Sequence, residues 1–130
     1  MKRKIAIIDP LGAHGSSHHF YLFGQAHGLI NSGLEVTLYT NIETNNPKIQ
    51  GLKFHQLYGN LFSGNLKIIS GVKYVLGSIG SIFHARISGC TIFHFHVFRT
   101  RINMLFNLIL VKMVFGKVVL TIHDISAFAN

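Results

Sequence analysis

Acidic residues are scarce in this chain: four Asp and Glu stand against twelve Lys and Arg in 130 residues, a net charge of +8 before any histidine is counted. Such a balance disfavours cationic partners and favours anionic ones: phosphates, nucleotide sugars, nucleic acid or acidic lipid headgroups. Cysteine occurs once, at Cys90, so an internal disulfide is excluded and no thiol pair has metal-ligand spacing; a reducing, cytoplasmic setting fits. Tryptophan is absent, and charged residues are only 12% against 48% apolar, which describes a buried interior and excludes a disordered tail. No uninterrupted apolar run reaches the roughly 18 residues of a spanning helix. The nearest, residues 102–115, carries Asn107 and Lys112, which disfavours crossing a membrane and leaves attachment at its inner surface open. The basic start, Met1-Lys2-Arg3-Lys4, leads into an apolar run that Asp9 and Pro10 interrupt within six residues, too soon for a signal peptide.

What is present reads as one α/β domain, since the length suffices for a single core and is short for two. Residues 4–9 form a continuous apolar strand of the kind buried on both faces of a parallel sheet. A loop with Gly12 and Gly15 follows. Ser16 or Ser17 then caps a helix whose apolar positions Phe20, Leu22, Phe23, Ala26, Leu29 and Ile30 recur at helical spacing, with a stop at Asn31-Ser32-Gly33. Strands are predicted over 35–40 and 52–58, a glycine-interrupted helix over 65–86, a strand over 91–95, an apolar helix over 101–115 stopped by Gly116, and a strand over 117–122. This β-α-β-β-α-β-α-β order predicts a doubly wound, mainly parallel sheet with helices on both faces, a Rossmann-like arrangement with its chemistry at the carboxyl ends of the strands. Its last strand would leave an exposed edge.

Three segments fall at those ends. The first, Gly12-Ala13-His14-Gly15-Ser16-Ser17, supplies small residues and a helix N-terminus where backbone N–H groups can approach a diphosphate or a sugar. Its spacing departs from Gly-x-Gly-x-x-Gly and lacks the Lys-Ser/Thr of a P-loop, so a turn that needs glycine for backbone reasons is an equal reading. The second, His94-Phe95-His96, puts two imidazoles on one face of a strand. With His123 they raise a zinc hydrolase as an alternative, although no cysteine or second acidic ligand lies nearby. The third, Val118 to Asp124, is a buried-strand pattern that ends in His123 beside Asp124. There an imidazole can hydrogen-bond a sugar hydroxyl or phosphate while the carboxylate orients it; a His that caps the strand under a loop is the competing reading. Lys2-Arg3-Lys4, Arg99 and Arg101 are not interleaved with aromatics as in stacking platforms, so nucleic acid is not expected.

Taken in order, Ile5-Ala6-Ile7-Ile8-Asp9 with the Gly12/Gly15 loop, Gly33 to Leu38, Ile92 to His96, and Val119 to Asp124 resemble the N-terminal, acceptor-side domain of GT-B fold glycosyltransferases, above all glycosyltransferase family 4. The resemblance implies transfer of a sugar from a nucleotide sugar to a glycan or lipid-linked acceptor, in surface polysaccharide or glycolipid synthesis. It implies a catalytic-cleft role for His123, and substrate contacts for Gly12, Gly15, Ser16, His94, His96 and Asp124. It also implies a metal-independent reaction without a cofactor, in which basic side chains and helix dipoles stabilise the leaving diphosphate. The family's donor-binding domain, with its paired-glutamate motif, has no counterpart in these 130 residues. The expectation is therefore an incomplete domain, inactive alone and completed by a second polypeptide. A non-catalytic α/β module that binds a phosphorylated ligand or a partner protein is the alternative.

Overall fold

The computed structural model describes residues 2–15, 18–59, 67–97 and 102–122. Five strands, β1 (Lys4–Ile8), β2 (Glu35–Asn41), β3 (Leu52–Tyr58), β4 (Ile92–Val97) and β5 (Lys117–Ile122), form one sheet in the order β3-β2-β1-β4-β5. Every neighbouring pair is parallel. The helices are α1 (His18–Asn31), α2 (Lys67–Ile87) and α3 (Ile102–Met113), with a 3-10 turn over Gly12–Gly15 between β1 and α1. This is the doubly wound, Rossmann-like α/β architecture that the alternation of elements predicts.

Side chains alternate along each strand, so the sheet feeds two cores. Ile5, Ile7, Val36 and Leu38 pack with Leu22 and Ala26 of α1 on one face. On the other, Ala6, Ile8, Tyr39, Tyr58, Phe93 and Phe95 pack with Ile82 and Ala85 of α2 and Leu110 and Val111 of α3. β1 is buried on both faces, which explains its unbroken apolar run. β3 runs parallel to β2 although only residues 42–51 join them; Gln56 Nε2 donates to the Thr44 carbonyl at 2.7 Å and pins that return.

Glycines mark the tight contacts. α1 ends in a Schellman motif: Gly33 takes φ +91°, its N–H donates to the Ile30 carbonyl, and the Leu34 N–H donates to Leu29. At the end of α3 the left-handed residue is Phe115, at φ +59°, and not Gly116 as the sequence suggests. Gly116 is required for space instead, because a Cβ there would lie 2.5 Å from Phe93 Cε2 and 2.8 Å from Val111 Cγ1. Likewise Gly77 of α2 lets the helix rest on the ring of Tyr58, whose hydroxyl pairs with Ser78 Oγ at 2.9 Å. The close approach is confined to Gly77, because a Cβ at Gly71 or Gly80 would meet nothing within 4 Å.

Candidate functional site

The carboxyl ends of the strands carry the polar residues. Asp9 follows β1 and is almost fully buried. Its Oδ2 accepts the Gly12 N–H at 3.1 Å, and its own N–H donates to the Tyr39 carbonyl at 2.9 Å. Burial raises this carboxyl to about 6, against the lowering pull of the Gly12 and Leu11 N–H groups.

Gly12 sits at φ +51°, and an added Cβ would collide with Thr44 Oγ1 and come within 2.7 Å of Thr40 Oγ1. Around it, Asn41 Nδ2 donates to the Pro10 and Leu11 carbonyls, both at 2.9 Å. Thr44 Oγ1 donates to Asn41 Oδ1 at 2.8 Å and accepts the Ala13 N–H at 2.9 Å. The loop is therefore stapled to the end of β2. Its Gly12 and Ala13 N–H groups are taken up inside the protein, which is the backbone role set beside the ligand role from sequence. Gly15 closes the turn.

The second half of the site belongs to β4. His94 and His96 project from the face of the sheet that α1 covers, and their rings stack with centroids 4.8 Å apart and planes 18° from parallel. His94 Nε2 lies 2.6 Å from Thr121 Oγ1 on β5. His96 Nε2 lies 2.9 Å from Gln25 Oε1 on α1, so that nitrogen carries the proton and donates it. Tyr21, one helical turn before Gln25, meets the His96 ring edge-to-face at 6.1 Å. α1 therefore connects the glycine loop to the imidazole pair. The assembly offers imidazole, hydroxyl, amide and aromatic groups on one side of the sheet, a set suited to hydroxyl-bearing ligands.

Of the residues singled out from sequence, the structure brings His94 and His96 together and places Gly12 and Gly15 at the neighbouring strand end. Ser16, His123 and Asp124 lie outside the described residues, as do Arg99 and Arg101. Tyr21, Gln25 and Thr121 were not legible as site residues, although Tyr21 and Gln25 have the i, i+4 spacing that shares a helix face. Among the described residues, no group of three or more His, Cys, Asp or Glu converges as metal ligands would.

The chain matches no family model and no curated protein. Solved structures that it resembles include a nicotinate-nucleotide-dimethylbenzimidazole phosphoribosyltransferase from Thermus thermophilus, at 13% identity and TM-score 0.39, over 73% of this chain and 35% of that one. The chain thus spans about a third of that enzyme's length. A phenylacrylic acid decarboxylase from Aquifex aeolicus also has 13% identity and TM-score 0.39, over 92% of this chain and 81% of that one.

Proposed function

We propose that this chain is an acceptor-side glycosyltransferase domain, which holds a glycan or lipid-linked sugar at the carboxyl ends of β1, β4 and β5 while a donor-binding unit supplies the nucleotide sugar. The observation that carries the reading is the stacked His94–His96 pair with Gln25 and Thr121 on its ring nitrogens. Sugar hydroxyls both donate and accept, and a neutral imidazole does the same, so the pair can exchange its present partners for ligand hydroxyls without leaving a buried group unsatisfied. In this reading His123 and Asp124 extend the same cleft, with His123 nearest the transferred sugar. The site then orients the acceptor oxygen, and the domain alone carries out no transfer.

The alternative, a module for phosphorylated ligands, is less well supported at the glycine loop, because Gly12 and Ala13 direct their N–H groups to Asp9 and Thr44 and because the Asp9 carboxyl lies beside them. Titration of histidine-labelled protein separates the readings by NMR. Oligosaccharide acceptors are expected to shift the His94 and His96 ring resonances, with inorganic phosphate producing no comparable change. A phosphate response without a glycan response would overturn the proposal in favour of the alternative.

A further inference from the structure

Among the described residues, the outer surface of the α2–α3 layer leaves many large apolar side chains uncovered. On α2, Ile68, Val72, Leu76 and Ile87 are 79%, 53%, 63% and 85% exposed; on α3, Ile102 and Met113 are 80% and 63% exposed. Between the helices runs an open groove of about 470 Å³, walled by Val72, Val75, Ile102 and Phe106, with Tyr74 among its lining residues. α2 is long and apolar enough to cross a membrane by length and composition. It packs on the sheet, however, through Gly77, Ser78, Ser81, Ile82 and Ala85, and its removal would strip the cover from Tyr58. It therefore lies along the domain as one wall of it.

Charge decides what fits this face. No Asp or Glu occurs between Glu43 and Asp124, so neither helix contains a carboxylate, whereas Lys67, Lys73, Arg86 and Lys112 all belong to this layer. Two copies paired through it would set cations against cations. An apolar surface whose two helices carry cations and no carboxylate complements a layer that is negatively charged outside and hydrocarbon within. We propose that the α2–α3 face docks on an anionic lipid bilayer, with both helices in the plane of the interface and the groove open to the acyl chains. The inference stands on this face alone and is independent of the sugar chemistry assigned to the opposite side of the sheet.

Cosedimentation of the full chain with vesicles tests it. Vesicles of phosphatidylcholine with about a third phosphatidylglycerol are expected to pellet the protein, and phosphatidylcholine alone to pellet at least roughly tenfold less. Ile68→Ser with Leu76→Ser removes two exposed aliphatic side chains and is expected to lower partitioning by about tenfold or more. Ile42→Ser, an equally apolar exposed change on the β2–β3 loop, is expected to leave partitioning unaltered, and circular dichroism checks that each variant folds. Protein that stays in the supernatant with anionic vesicles would overturn the proposal. So would equal loss of partitioning in all variants, or a stable dimer that Ile68→Ser with Leu76→Ser dissociates.

Discussion

His94 Nε2 and Thr121 Oγ1 lie 2.6 Å apart, a bond between adjacent strands that ties the middle of β4 to the carboxyl end of β5. β5 is the last strand of the sheet, and Val118, Val119, Leu120 and Ile122 on it are all exposed. Side-chain bonds of this kind matter more at such an edge than in the centre, where both faces are packed. Thr121→Val keeps the shape and removes the hydroxyl; it is expected to cost about 1 kcal/mol of stability in urea unfolding. A cost near zero would show that the bond does not hold β5.

Asp9 gives a pH signature with a defined sign. Its carboxyl is raised from 3.8 to about 6 by burial, so the folded state binds the proton more tightly than the unfolded state does. The stability this contributes is complete below 3.8 and is lost as pH rises through 6. Asp9→Asn removes the titration while keeping an oxygen for the Gly12 N–H. The stability of Asp9→Asn relative to wild type is expected to rise by roughly 2 kcal/mol between pH 4 and pH 7.5. A difference independent of pH would contradict the burial argument.

His55 has the opposite sign. It stacks on Tyr39 at 5.3 Å and meets His84 at 4.7 Å, and Tyr39 in turn shares a hydrogen bond with His84 Nδ1 at 2.8 Å. Burial first, then the neighbouring His84 and Lys53, push the His55 pKa below its usual 6.5. The stabilising contribution is present above 6.5 and is lost as pH falls below that value toward the folded pKa. His55→Phe keeps the stacking and is expected to make stability less sensitive to acid between pH 7 and pH 5 in urea titrations. An unchanged acid dependence would remove His55 as its source.

Phe115 is held at φ +59° and is 88% exposed. A left-handed backbone costs a bulky residue roughly 1–2 kcal/mol, and the exposed ring offers little packing to offset it. Phe115→Gly is expected to raise stability by about 0.5–1 kcal/mol, since the gain is partly cancelled by the greater freedom of glycine in the unfolded chain. Gly116→Ala, one residue on, is expected to destabilise by about 2 kcal/mol through its collision with Phe93. Equal effects at the two positions in thermal unfolding would contradict this division of roles.

Much of the fold was legible because its signals are local. The apolar run of β1, the helical spacing of Leu22, Ala26 and Leu29, and the bounds of β3 and β5 all coincide with the structure. The site was legible only where it lies on one element, as with His94 and His96 on β4. Thr121 comes from 27 residues beyond His94, and Gln25 from 71 before His96. Such pairings follow from strand order and crossover, which periodicity does not encode. The stapling of Gly12 by Asn41 and Thr44 was hidden for the same reason, and the cap at Phe115 because tertiary contact at Gly116 overrode the glycine preference.

The acceptor site is tested by binding of the full chain to an array of free and lipid-linked glycans, repeated with His94→Ala and His96→Ala. The wild-type chain is expected to retain particular glycans and both variants to retain them at least roughly tenfold more weakly, with the fold intact by circular dichroism. No glycan retained, or retention equal in wild type and variants, would contradict an acceptor site at the end of β4.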